Sequence, residues 1–282
     1  MKFQHLGKPL LAKPVITRLL EGKRNQEKYV KVSLDLGRTL RIVKLTPEGP
    51  IIDGMIVPWG TIEELSKEDE RNIYLVEEGE IRQASIARRH FYKLVMTEWG
   101  HAPTLEIDGI HMHRIVDIYP EEDARLKVKL LGDIRCRSIL DICTGLGYTA
   151  IAELRSGACR IVSIEIDENV LYLASLNPWS RELEDKRVEI ILGDAYQVVE
   201  EFHAVVHDPP RLQLAGHLYS EEFYHKIARA LKPRGKIVHY VGQPGVRRGL
   251  KIWKGVMERM RNAGFTAKYD KKTQCVYGEK IT

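Results

Sequence analysis

Asp208, Pro209, Pro210 and Arg211 close an apolar run, FHAVVHDPPR over residues 202–211. Two consecutive prolines cannot continue a strand ladder, because neither offers a backbone N–H. They hold the acid before them in a stiff, defined place, which suits a site better than a turn. Other chemistry-bearing residues stand upstream. SILDICTGLGYTA places Asp141 at the end of a strand, with Thr144, Gly145 and Gly147 in the turn that follows. Glycines let the backbone approach a ligand closely, and Asp141, four residues before the first glycine, is placed to bind an amino group. Glu165 ends the next strand in IVSIEID, where an acid can accept hydrogen bonds from both ribose hydroxyls. GDAY follows the third strand and puts Asp194, with Ala195 beside it, where an adenine amine would lie. Read alone, GLGYTA also satisfies the dinucleotide pattern G-x-G-x-x-A, a weak match that keeps a nicotinamide enzyme open.

These residues need elements to position them. From Pro120 the chain alternates helices and apolar strands, which calls for a mainly parallel sheet covered on both faces, with ligands at the carboxyl ends of its strands. Pro120 followed by Glu121, Glu122 and Asp123 opens a helix through about Leu131. The last two strands, FTAKYD and QCVYGEK, are joined by a link too short for a crossover helix and must be antiparallel. The expected fold is therefore α/β, a Rossmann-like doubly wound sheet ending in an antiparallel hairpin. Residues 1–118 read as a smaller β-rich α+β module and residues 119–282 as the catalytic domain. In the first part, YVKVSLDLGRTLRIVKL reads as a hairpin, EGPIIDGMIVPWG as a broken strand and TLEIDGIHMHRI as a hairpin turning at Asp108–Gly109. IRQASIARRHFYKLVMTEW has helical spacing, with Ile81, Ile86 and Leu94 as core contacts.

With 282 residues, 44% of them hydrophobic, the chain can bury two cores. It has no apolar run long enough to span a membrane and a start too polar for a signal peptide, so a cytoplasmic protein is expected. The four cysteines form no C-x-x-C pair, which argues against zinc and for reduced, mostly buried thiols. Asn and Gln together number 12 against abundant charge, a balance that suits a thermophile. The net charge of +5 is uneven: residues 211–282 carry 16 Lys/Arg against 5 Asp/Glu. Arg247, Arg248, Lys251 and Lys254 concentrate charge near the site, with Arg247 and Lys251, and Lys251 and Lys254, spaced to share one helical face, and a polyanion partner becomes plausible. A lysine-rich solvated surface is the alternative. The first 60 residues, with 11 Lys/Arg against 5 Asp/Glu, offer a second contact of the same kind.

The order D-x-x-x-G-x-G, then Glu165, Asp194 and DPP, resembles class I S-adenosylmethionine-dependent methyltransferases over about residues 119–282. The resemblance implies that Asp141, Gly145 and Gly147, with Thr144 among them, hold the methionine end of S-adenosylmethionine. It implies Glu165 at the ribose, Asp194 and Ala195 at the adenine, and no metal. Methyltransferases of exocyclic amines carry a similar D-P-P stretch, which makes Asp208, Pro209, Pro210 and Arg211 the catalytic set. The Asp208 carboxylate and the Pro209 carbonyl can accept the two N–H groups of a planar amine and aim its lone pair at the methyl group. Methylation at a pyrimidine ring carbon would need a cysteine nucleophile here, and none follows the prolines. Arg211 stands where the family pattern has an aromatic ring; it can stack on a base or bind phosphate, and Tyr219 or Tyr224 could supply the ring instead.

The whole chain, and most closely HDPPRLQLAGHLYSEEFYHKIARALKPRGKIVHYVG, is similar to an archaeal methyltransferase family with this DPPR site. That family is linked to N4,N4-dimethylation of cytidine in small-subunit ribosomal RNA, which implies an RNA cytosine amine as target. Three other readings stay open: a methyltransferase of small-molecule or protein amines, a non-catalytic RNA-binding protein with the same fold, and a fold relative that transfers another group.

Overall fold

The computed structural model describes residues 2–210, 212, 215–242 and 251–281. It falls into two compact units. One comprises residues 5–120 with 172–181, the other residues 1–4, 121–171 and 182–282.

The first unit is rich in short antiparallel strands. Tyr29–Val32 pairs with Arg41–Leu45, which continues to Pro50–Ile52 and Met55–Ile56. The last two strands turn at Asp53 and Gly54, both at positive φ, as a type I′ hairpin requires. Asp108 and Gly109 do the same between Thr104–Ile107 and Ile110–His111. The helix expected from residue 81 is instead three strands, Glu80–Gln83, Ser85–Ala87 and Phe91–Val95. Cross-strand pairing decides the matter. Phe91–Val95 pairs with Thr104–Ile107 on one side and Ser85–Ala87 on the other, burying Tyr92 and Leu94, and β-branched and aromatic side chains pack well there. Conversely Lys13–Arg24, within a region read as strands, is a helix with proline in its first turn, burying Val15, Ile16 and Leu19.

The second unit is built on a seven-stranded sheet. Its strands are β1 (Ser138–Ile142), β2 (Arg160–Glu165), β3 (Val188–Leu192), β4 (Phe202–His207), β5 (Leu231–Tyr240), β6 (Lys268–Asp270) and β7 (Cys275–Glu279), in the order β3-β2-β1-β4-β5-β7-β6. The first five are mutually parallel, and β7 pairs antiparallel with both β5 and β6. β1, β2 and β4 are nearly continuous apolar runs, as strands covered on both faces must be. The helices are α1 (Pro120–Lys129), α2 (Tyr148–Arg155), α3 (Glu168–Leu176), α4 (Glu221–Arg229) and α5 (Ile252–Asn262). The order reverses between β1 and β4, and this switch point opens a crevice at their carboxyl ends. Asp141 and Asp208 both stand at that edge.

Candidate functional site

The turn after β1 has positive φ at Cys143, Gly145 and Gly147. At Gly147 a Cβ would meet the Leu183 side chain at 2.4 Å, so glycine is needed for packing as well as for φ. At Gly145 a Cβ would meet nothing within 4 Å, so backbone faces open space. The Gly145 N–H donates to Glu165 Oε2 at 2.9 Å, and Glu165 Oε1 accepts from the backbone of Ile166 at 2.9 Å and Asp167 at 3.1 Å. Burial raises the Glu165 carboxyl above its ordinary value, against the pull of these three bonds. Glu165 thus braces the glycine turn from the end of β2. Asp194 Oδ1 accepts from the Tyr196 N–H at 2.9 Å and caps the short turn Ala195–Gln197 after β3.

Asp141 is fully buried. Its Oδ2 accepts from Ser163 Oγ at 2.6 Å, and Ser163 shares a 2.7 Å hydrogen bond with Thr144 Oγ1. Its Oδ1 is buried without a hydrogen-bond partner, and among the described residues no Lys or Arg pairs with it. Burial pushes the carboxyl up to about 7. Glu153 of α2 is buried beside it with both oxygens unpartnered. An orphaned acceptor without a cation is what the amino group of a methionine moiety would satisfy, and the open turn at Gly145 fits the same ligand.

Asp208 has the opposite surroundings. Its N–H donates to Ile142 O at 3.2 Å, tying the D-P-P loop to the end of β1. Lys127 Nζ donates to Asp208 Oδ1 at 2.9 Å and Oδ2 at 2.7 Å, and lies 2.9 Å from Asp123 Oδ2. The same ammonium sits 3.9 Å from the Tyr240 ring centroid. Burial would lower the Lys127 pKa, but Asp208 and Asp123 outweigh it and hold it well above its ordinary value. The Asp208 side chain keeps 18% exposure. A carboxylate has about four lone-pair directions, so two remain beyond those Lys127 takes.

Neither Lys127 nor Tyr240 stands out in the sequence, and Asp123 does so only as an acid opening the helix after Pro120. The signal available was an ion pair at i,i+4 on the same helical stripe as the buried Ala124, Val128 and Leu131. The rings expected to stack on a base are buried instead. Tyr224 is fully buried, its hydroxyl 3.2 Å from His239 Nδ1. Tyr219 is 3% exposed and its hydroxyl donates to Pro210 O at 2.9 Å. Neither can stack on a base; Tyr219 supports the loop from behind, beside the buried His207, whose burial keeps it neutral down to about 3. Tyr240, the last residue of β5, is the ring at the D-P-P edge.

Arg211, Arg247 and Arg248 lie outside the described residues. Lys251 is the N-cap residue of α5, which begins at Ile252, and Lys254 lies in its first turn, its N–H donating to Lys251 O at 2.9 Å. Both side chains are exposed. Of the four cysteines, Cys136 and Cys159 are exposed, Cys143 is half-buried and Cys275 buried, so the expectation of mostly buried thiols holds for only half of them. Among the described residues no three His, Cys, Asp or Glu side chains gather as metal ligands, and no helix is long and apolar enough to cross a membrane.

The chain is similar to several known proteins. An uncharacterized protein of Methanocaldococcus jannaschii is 46% identical over 245 residues, 85% of this chain and 80% of its own. A polyamine aminopropyltransferase of Mycobacterium tuberculosis is 32% identical over 64% of this chain, and this match covers 36% of that enzyme. Among solved structures, a spermidine synthase in complex with the transition-state analogue AdoDATO shares the fold with a TM-score of 0.55 at 17% identity, covering 90% of this chain and 81% of its own. The family model described as methyltransferase small domain matches residues 109–266, which span the glycine turn, the D-P-P loop and Lys127. The chain belongs to the methyltransferase small domain family.

Proposed function

We propose that this protein transfers a methyl group from S-adenosylmethionine to an exocyclic amine of an RNA base, cytidine N4 of small-subunit ribosomal RNA being the target, methylated once or twice. When bound, S-adenosylmethionine supplies an electrophilic methyl group on a sulfonium centre. Asp141 would take the amino group of its methionine end, Glu165 the ribose and Asp194 the adenine. The observation that carries the amine assignment is the grip of Lys127 on both oxygens of Asp208. It fixes the carboxylate at the edge it shares with Asp141 and leaves lone pairs to accept an N–H. An aromatic amine is a poor nucleophile because its lone pair is delocalised into the ring. Hydrogen bonds that orient the N–H groups aim that lone pair, and positioning of this kind is a large part of catalysis. The Tyr240 ring offers a face against which a base can lie.

Two features support RNA as the carrier of the amine. The last 72 residues, 211–282, carry 16 basic against 5 acidic side chains. Lys251 and Lys254 sit in the first turn of α5, which has no acidic residue. Cations there oppose the helix dipole, so they do not serve the helix, whereas a phosphate backbone would favour them.

The aminopropyltransferase similarity favours a second reading, a small aliphatic amine as acceptor. Such an amine is an ammonium ion at neutral pH. It would bring a second cation to a carboxylate that Lys127 already pairs, whereas a neutral aromatic amine brings only a donor. The test is to incubate the protein with S-adenosylmethionine and either ribosomal RNA or a polyamine mixture, then analyse nucleosides and amines by mass spectrometry. Methyl on cytidine nitrogen is expected. Modified polyamine with unmodified RNA would support the second reading, and a ring-carbon methyl would mean that the D-P-P argument has chosen the wrong atom.

A further inference from the structure

Cys136 and Cys159 play no part in the site, yet they are the two exposed thiols and they stand at the start of neighbouring strands. Cys136 precedes β1 and Cys159 precedes β2, at the amino ends of the strands, opposite the site. The backbones are tied together there. The Cys136 N–H donates to Gly157 O at 2.9 Å, and the Cys159 N–H donates to Arg137 O at 3.0 Å. Extending the β1–β2 register, in which Ser138 faces Arg160, sets Arg137 opposite Cys159. Strict alternation would then send the Cys136 and Cys159 side chains to opposite faces. It does not, because Cys136 has φ +57° and leaves the extended conformation. That left-handed residue breaks the alternation where the two backbones are tied, and the nearness of the Cys136 thiol raises the Cys159 thiol above its ordinary value.

We infer that Cys136 and Cys159 are a redox-addressable pair that closes to an intrachain disulfide and staples the first strand–turn–helix unit of the sheet. The segment enclosed, residues 137–158, contains β1, the glycine turn and α2. The step is thiol–disulfide exchange with a low-molecular-weight disulfide such as oxidised glutathione. One cysteine thiolate attacks a glutathione sulfur and expels a glutathione thiolate. The second cysteine thiolate then attacks the protein sulfur of the mixed disulfide and expels the other. Two protein thiols are oxidised to one disulfide and one glutathione disulfide is reduced to two thiols, the two cysteine protons passing to solvent or to the departing thiolates. The nearby Cys136 thiol, then burial, raises the Cys159 thiol, although the Arg187 guanidinium opposes this. Closure should therefore quicken as pH rises. The inference does not depend on the proposed reaction.

The test is to treat the full chain with oxidised glutathione at mildly alkaline pH and map peptides without reduction. The expected product is a monomer with a Cys136–Cys159 linked peptide, its titratable thiols in denaturant reduced to Cys143 and Cys275. Its melting temperature should rise by roughly 5 °C or more, reversibly with dithiothreitol, because a cross-link removes entropy from the unfolded chain. Cys136→Ser and Cys159→Ser should each lose both the linked peptide and the shift. Stable glutathione adducts on both cysteines, a disulfide-linked dimer, or linkage to Cys143 or Cys275 would each overturn the inference. Because the decisive readout is the linked peptide in wild-type protein, it does not depend on the variants folding.

Discussion

Asp141 and Asp208 end adjacent parallel strands of one sheet, at one edge, yet they sit in opposite environments. Asp141 is fully buried with one oxygen orphaned and, among the described residues, no cation, and burial pushes its carboxyl up to about 7. Asp208 is partly open and is held by a buried ammonium on both oxygens. The fold supplies a cation to one acid and withholds it from the other. A ligand that brings its own ammonium group suits Asp141, and a neutral N–H donor suits Asp208. The difference separates a place for the methyl donor from a place for the acceptor amine.

The sharpest way to break this contrast is to remove the cation. Lys127→Met takes from Asp208, at a largely buried site, the ammonium that holds both its oxygens. Breaking a buried pair on one side costs about 3–5 kcal/mol, to be read in chemical denaturation, and Lys127→Met combined with Asp208→Asn should recover part of it. A smaller unfolding free energy change than about 1 kcal/mol would mean that Lys127 does not hold Asp208 in solution.

Next in size is the pH dependence that the missing cation gives Asp141. Its folded pKa of about 7 lies above the unfolded value near 4. The stability it contributes to the ligand-free protein is therefore fully present below about pH 4 and lost as pH rises through about 7. The span is about 4 kcal/mol by linkage. Buried His207, neutral down to about 3, has the opposite slope: its contribution is present above about pH 6.5 and lost as pH falls toward 3. The measurement is consequently the difference between wild type and Asp141→Asn across pH 4–7. Parallel curves would contradict an Asp141 that titrates in this range.

A milder probe concerns Glu165. Glu165→Gln keeps the shape but weakens acceptance from Gly145, Ile166 and Asp167, and from a ribose, and should reduce S-adenosylmethionine affinity roughly 10-fold, a hydrogen bond to a charged group being worth about 1.5–3 kcal/mol. Calorimetry that finds unchanged affinity would detach Glu165 from the ligand. Smallest is the effect of the basic residues. Lys251→Ala with Lys254→Ala should lower the log–log salt slope of RNA binding by roughly 0.7–0.9 for each lost phosphate contact. An unchanged slope would mark them as a solvated surface.

How much of this was legible beforehand follows sequence distance. The glycine turn, Glu165, Asp194 and D-P-P each lie within a few residues of a strand end, so local pattern placed them at one sheet edge, and the terminal hairpin followed from a link too short for a crossover. Lys127 was not legible, because it stands 81 residues from Asp208 and only the packing of α1 on the sheet joins them. The left-handed backbone at Cys136, beside the start of the Cys159 strand, is an angle that no spacing announces. Phe91–Val95 was misread because cross-strand pairing outweighed an apparent helical period. The Tyr219 and Tyr224 hydroxyls face the interior, which residue type alone does not reveal.

The contrast between the two aspartates is tested most directly by exchanging one oxygen for an amide in each. S-adenosylmethionine affinity is measured by calorimetry, and single-turnover methyl transfer to ribosomal RNA fragments at saturating S-adenosylmethionine. Asp141→Asn should weaken affinity by roughly 10-fold or more, the scale of a charged hydrogen bond, and recover much of its turnover at saturation. Asp208→Asn should leave affinity near wild type and slow transfer by roughly 100-fold or more, the scale of a lost electrostatic contact in a transition state. If both variants lose affinity alike, or if Asp208→Asn transfers methyl at the wild-type rate, the division of labour between the two acids is wrong.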